Sequence, residues 1–482
     1  MWTNAAFLCD HGGGGRRKTF LCVKLFPSPP RLREKRENEV TVMCKRLLTA
    51  LLAAALLCST ALAAPIAANF LDSAALIDED GAVIVAPGAY DFIFALDDAG
   101  ELFCGGSNEG GAYRYALLNG AGEPLSEQVY DMLALEDGVV VFTQGSLYGA
   151  MTTGGEVLAE AAYTQLVSNG EGGFLALTTD CFDDQSDGLY RIDETGAVSA
   201  TGVQTLGTLN WFSDGLMPLI SAENNLYGYV DASGQWAIRP QFAYAGPFIE
   251  GRALASLTTG YGLIDNTGNW VLTPKYPDIT FEDGELALAV EGDGSATGFD
   301  PATCAEIFRI EGGEGAYYAA YDGVVQAFDG EKTCLYDYSG RLIHEGGAQA
   351  SYARGENGQF ILSDGPWGAE CYRIVRADGT LVEGAWQSLF PLFTLDGTGY
   401  YGFMAFEATP VYVEELGEEQ YDWDPDGVRY GVVDENGETV LSARYEALSI
   451  AGEKRLLVRE GDAQGLIDVH GNWIYQISTA RE

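Results

Sequence analysis

Residues 262–276 read Gly-Leu-Ile-Asp-Asn-Thr-Gly-Asn-Trp-Val-Leu-Thr-Pro-Lys-Tyr, and nearly the same phrase, Gly-Leu-Ile-Asp-Val-His-Gly-Asn-Trp-Ile-Tyr-Gln, returns at 465–476. Its grammar is two apolar residues, Asp, two residues, Gly, one residue, then apolar residues again. Alternating apolar positions make a strand, and Asp-x-x-Gly closes it. The Asp side chain accepts from backbone N–H groups two positions on, and Gly adopts the positive φ that a tight hairpin needs. The phrase is therefore one β-hairpin.

Further copies stand at 229–238 and 432–441, with looser ones at 76–85, 191–200, 335–343 and 374–382. The most degenerate are 117–125, 150–158 and 298–307. The marker glycines are Gly81, Gly122, Gly155, Gly196, Gly234, Gly268, Gly340, Gly379, Gly437 and Gly471, with Cys304 in register between Gly268 and Gly340. Ten steps cover 390 positions, a mean of 39. A period of this size signals a stacked array whose units cannot bury an apolar face alone.

In the best copies a third apolar strand follows. The 236–257 and 270–290 segments share an apolar pair, a proline (Pro240, Pro274) and an aromatic residue, then Phe248 or Phe281, and Gly251 or Gly284. Proline fits a strand end, where its missing N–H is harmless. Residues 227–290 resemble two consecutive WG-containing repeats, a bacterial family. Tyr227-Gly228, Tyr261-Gly262 and Tyr430-Gly431 stand where that family often has Trp-Gly. The resemblance is fair over 429–476 and faint elsewhere. It implies a β-repeat protein, often exported, and carries over no catalytic residue.

The fold class expected is all-β, with tandem hairpin or blade repeats of about 39 residues in a β-propeller-like array. The alternative is an open β-solenoid or superhelix. Eleven units are many for one ring, which argues for two rings or an open array. Residues 65–75 precede the first hairpin, and the last unit stops after its own. The N-terminal segment is thus expected to complete the last sheet and cover its edge. One step, from Gly379 to Gly437, is 58 residues long, which places an insertion near 394–428.

Residues 43–64 have a basic start at Lys45 and Arg46, an apolar run from Leu47 to Leu57, and the small-residue site Ala61-Leu62-Ala63. This is the layout of a secretory signal peptide. Residues 1–42 read as an upstream extension outside the functional protein, and 65–482 as the repeat domain. The protein is then expected outside the cytoplasm, secreted or at the cell envelope. No integral membrane segment is expected in the mature chain.

Residues 1–64 hold ten of the 27 Lys and Arg and four of the 70 Asp and Glu, which leaves a net charge of −49 on the remainder. Such a surface repels phosphate backbones, so nucleic-acid binding is excluded. Solubility is the plain reason for the charge, and attraction of basic surfaces or cations the functional one. Five cysteines follow residue 64: Cys104, Cys181, Cys304, Cys334 and Cys371. None is at metal-knuckle spacing. His344 and His470 are the histidines left for triad chemistry.

Within the insertion, Asp422, Asp424 and Asp426 precede Gly427 at the spacing that opens a calcium loop. The twelfth position is Val433 rather than Glu, and a solvated acidic loop is the plainer reading. Trp236, Trp270 and Trp473 share one repeat position and read as packing between units. Trp367, Trp386 and Trp423 fall outside that register and are the candidate ligand-binding residues. No phosphate loop, nucleophile elbow or metal-binding motif appears, and no catalytic residue or cofactor is assigned. The reading is a non-catalytic binding or scaffolding module for a protein or polysaccharide. A glycan-active enzyme and a ligand-free spacer are the alternatives.

Overall fold

The computed structural model describes residues 64–478 apart from 71–72, 179–186, 314, 367–368, 414–417 and 453, and for 187 and 410–423 the backbone alone. The readings of 1–42 and 43–63 as extension and leader lie outside the described residues, as does Cys181. Among the described residues no α-helix occurs, and no helix is long and apolar enough to cross a membrane.

Eleven antiparallel sheets follow one another along the chain, with strands paired in chain order. They span 66–90, 92–130, 132–163, 165–205, 216–242, 244–276, 278–310, 317–346, 351–386, 388–445 and 447–478, here blades 1 to 11. Blade 6 shows the pattern with strands Tyr244–Ile249, Arg252–Leu257, Gly260–Asp265 and Trp270–Tyr276. Blades 2 and 9 reduce the fourth strand to bridges, Leu118 with Pro124 and Tyr115 with Tyr130, then Val375 with Leu381 and Tyr372 with Trp386. Blades 1 and 5 lack a first strand in their sheets. In an up-and-down blade the turns alternate between two faces of the disc. One face carries the turns between strands one and two and between three and four. The other carries the two–three connections and the links between blades.

The marker hairpin is the last half of a blade, not the first. Each Asp-x-x-Gly closes strands three and four, as Gly234 does between Tyr227–Asp231 and Trp236–Phe242. The sequence unit therefore straddles a blade boundary. The boundary itself is short: one residue, Ala243, separates the fourth strand of blade 5 from the first of blade 6, and Pro277 does the same between blades 6 and 7.

The link is this short because the fourth strand bulges. In blade 6, Leu263 pairs with Leu272 and Tyr261 with Tyr276, so four steps on one strand oppose two on the other. Blades 3, 5 and 10 repeat the offset. The bulge presses backbone against the third strand, and the Gly of each Tyr-Gly pair makes room. A Cβ on Gly262 would fall 2.3 Å from the Leu272 carbonyl oxygen, and one on Gly228 2.5 Å from that of Ile238. Pro240 and Pro274 occupy the bulge, where no ladder N–H is required.

Strands two and three are covered on both faces and read as short apolar runs, such as Phe174–Leu177 and Ala287–Val290. Their side chains gather into eleven apolar clusters, each shared by one pair of neighbouring blades. Between blades 5 and 6 these are Tyr229, Ile238 and Phe242 with Ala245, Phe248 and Ala253. Trp270 meets Phe242 edge to face at 5.6 Å, the packing role its repeat position suggests.

The eleventh cluster closes the circle. Ile66, Ala68, Phe70, Ala75 and Ile77 of blade 1 pack with Ala451 and Leu466 of blade 11. The marker glycines repeat the statement. Gly268 lies against Ile238 of the blade before it, Gly471 against Leu441, and Gly81 of blade 1 against Ile474 of blade 11. The array is one closed ring of eleven blades, neither two rings nor an open superhelix. The N-terminal segment does not complete the last sheet. Blade 11 has four strands of its own, and Ile66–Asn69 pairs with Ala74–Ile77. Closure is made by side chains.

Candidate functional site

Two departures from the repeat stand out as candidate sites. In blade 5, residues 206–215 stand where a first strand would be, held by bridges from Thr205 to Ser221 and Ser213 to Leu216. Gln165 Oε1 accepts from the Leu209 N–H at 2.6 Å, and Ser213 Oγ donates to the Phe248 carbonyl. Beside this segment is a cavity of about 510 Å³, lined by Asp137 of blade 3, Asn169 and Glu171 of blade 4, and Phe212, Gly215 and Asp231–Ser233 of blade 5. The gap left by the missing strand is its physical origin. Asn169 forms part of the wall: its Oδ1 accepts from Glu171 and Gly173, and its Nδ2 donates to the Ala232 carbonyl. Asp231 Oδ1 is likewise taken up by Ser233 and Gln235. Next to the cavity residues, Trp211 is 60% exposed.

The second irregularity is on the opposite face. The connection between strands two and three of blade 10, Thr398–Ala405 and Arg429–Asp434, contains a separate ribbon, Ala408–Val413 with Glu418–Trp423. The added chain is thus 406–428, and 398–405 belongs to the blade. Asp422 pairs with Thr409 inside the ribbon and Trp423 with Ala408. A 3-10 turn, Pro425–Gly427, follows, and Asp424 Oδ1 caps it by accepting from the Asp426 N–H at 3.0 Å. Asp422 therefore stands on a strand while Asp424 and Asp426 flank a turn. Among the described residues no three His, Cys, Asp or Glu gather in a metal-binding group.

Trp386 is half-buried at the seam of blades 9 and 10, over Gly384 and Gly437. Trp367 lies outside the described residues, and for Trp423 the backbone alone is described. The sequence offers Trp211 among the tryptophans able to stack on a sugar but does not single it out. The available signal was its place in 206–215, a Gly, Thr and Asn stretch where other units have a short apolar strand.

On the ribbon's face, the Tyr-Gly tyrosines join in a row. Tyr244 is 5.9 Å from Tyr227 and 6.0 Å from Tyr261, ring centre to ring centre. Burial raises the Tyr244 phenol above its ordinary pKa, with Tyr227 and Tyr261 adding to the rise.

Closed seams, eleven blades and alternating turns define the class: a single-ring β-propeller. Its repeats can also be assigned. The family described as the WG containing repeat matches residues 227–257 and 261–294, so the chain carries WG-containing repeats across blades 5 to 7. Each match runs from strand three of one blade to strand two of the next. No curated protein matches the sequence. Among solved structures, the chain is similar to BamB from Moraxella catarrhalis at 14% identity, over 56% of this chain and 90% of that one, with a TM-score of 0.31. It is also similar to a eukaryotic initiation factor at 10% identity, over 76% and 93%, with a TM-score of 0.40. The computationally designed Ika8 protein is similar at 12% identity, over 58% and 95%, with a TM-score of 0.27.

Proposed function

We propose that this chain is an exported, non-catalytic binding module that holds a protein or polysaccharide at the cell envelope. The supporting observation is the ribbon of blade 10. It adds two strands to an otherwise repetitive disc and pairs with no blade, a conformational cost that a scaffold alone would not require. The signal-like 43–64 segment supports export. Co-sedimentation of the purified chain with separated envelope proteins, polysaccharide and peptidoglycan tests the reading, with calcium and with chelator. Saturable pelleting with one fraction is the expected result, and loss with chelator alone would show that calcium takes part in the binding. Absence of pelleting in every fraction would overturn it.

The cavity supports a second reading, a glycan-active enzyme, because Asp137 and Glu171 face one concave site. Release of reducing sugar by the wild type and its loss in Glu171→Gln would favour it over the binding module.

A further inference from the structure

Blade 2 carries an aromatic surface that only partly belongs to its packing: Tyr115 lies against the core shared with blade 3, while Phe94 and Tyr113 are exposed. Its second and third strands, Leu102–Glu109 and Ala112–Asn119, are eight residues each. The first strand, Phe92–Ala95, pairs with this hairpin only as far as Gly106. From Ser107 to Arg114 the hairpin pairs with itself alone. The register sets Phe92 opposite Gly106, Gly106 opposite Tyr115, and Asn108 opposite Tyr113. Phe92, Phe94, Tyr113 and Tyr115 therefore share one face.

Their rings touch in sequence. Phe92 is 6.1 Å from Phe94 with planes 9° apart and 5.2 Å from Tyr113 edge to face at 64°, and Tyr113 is 6.5 Å from Tyr115 at 26°. Phe94 is 48% exposed and Tyr113 39%. Glycine sets their attitude. A Cβ on Gly106 would stand 2.4 Å from Tyr115 Cε1, so this ring lies down on the bare backbone.

We infer that this face is a stacking site for a neutral polysaccharide. Exposed aromatic rings offer π faces, and a pyranose ring, with a flat C–H side and hydroxyl edges, matches them. Charge selects among glycans. The chain carries a net −43, and Asp91 and Glu109 border the patch, so anionic polymers are repelled. Arg114, the nearby cation, is committed to Asp131. The inference rests on the binding-module reading and names its ligand class.

The test is co-sedimentation of the purified chain with insoluble cellulose and chitin, with alginate as the anionic contrast, beside a pull-down from envelope proteins. Saturable binding to one neutral glycan is expected, with none to alginate. Phe94→Ala with Tyr113→Ala should weaken it at least about tenfold while Phe94→Trp retains it. Both residues are exposed, so unchanged melting temperatures will show that the variants fold. Equal binding by wild type and double variant would overturn the site and leave the module reading standing. Capture of an envelope protein with no glycan bound would overturn the glycan and again spare the module. No binding to glycan or protein would sink both.

Discussion

Gly262 and Asp265 stand three residues apart and do different work. Gly262 is needed for what it lacks, since the bulged fourth strand brings the Leu272 carbonyl to 2.3 Å from where a Cβ would stand. Gly262→Ala is expected to destabilise by about 1–3 kcal/mol, the cost of forcing a methyl into a packed site, read from urea melts. Asp265 is needed for its oxygen. Thr267 Oγ1 donates to Oδ1 at 2.6 Å, and the amides of Thr267 and Asn269 donate at 2.9 and 3.0 Å. The Thr267 hydroxyl, then the turn amides, hold the carboxyl below its ordinary 3.8, and Thr195 and Thr380 do the same for Asp193 and Asp378. A depressed folded-state pKa gives stability that is complete above the unfolded value and lost as pH falls through the folded one. Replacing all three by Asn should flatten the fall of melting temperature below about pH 4 and lower it at pH 7 toward the wild type's acid value, because a neutral amide oxygen accepts these bonds less strongly than a carboxylate. An unchanged acid limb would show that these turns do not drive it.

At the scale of strands, the seam between blades 5 and 6 concentrates apolar area in Phe248 and Tyr229, both fully buried. Phe248→Ala should cost about 3–5 kcal/mol by calorimetry or urea melts. Tyr229 Oη donates to the Gly246 carbonyl at 2.8 Å across the seam, so Tyr229→Phe should cost about 1–3 kcal/mol for the acceptor left bare. The ribbon of blade 10 is different in kind. It pairs with no blade, so replacing 407–427 by a short turn should leave the melting temperature within a few degrees while abolishing any partner bound there. A large fall in stability would show that the ribbon packs as part of the ring.

The ring as a whole depends on one seam that no sequence repeat announces. Ala68 at the closing seam and Ala253 at an internal one are both fully buried. A carboxylate introduced at either lands unpaired in an apolar interface. Ala68→Glu and Ala253→Glu should therefore lower the melting temperature to a similar degree. A harmless Ala68→Glu would mean that blades 1 and 11 part in solution. The three-stranded blades matter at this scale too: the missing first strand of blade 5 leaves the acid-lined cavity, and an unbroken four-stranded ring would have filled it.

The sequence alone determined the hairpin, its Asp-x-x-Gly turn, a count of about eleven units and the all-β class. Each rests on pattern along the chain: alternation for strands, an αL glycine for the turn, and a recurrence averaging 39 residues for the array. Even Cys304 was placed in register, and it adopts the marker's left-handed conformation with φ of 55°. The aromatic face of blade 2 was also within reach, because Phe92-x-Phe94 and Tyr113-x-Tyr115 put rings on one side of two strands. Only the tertiary structure decided where a blade begins, that the eleven form one ring, and that blade 5 opens a cavity. Blade phase depends on how far the fourth strand bulges toward the next sheet, and closure on a small turn per blade summed over eleven seams. Neither quantity belongs to any single stretch of chain.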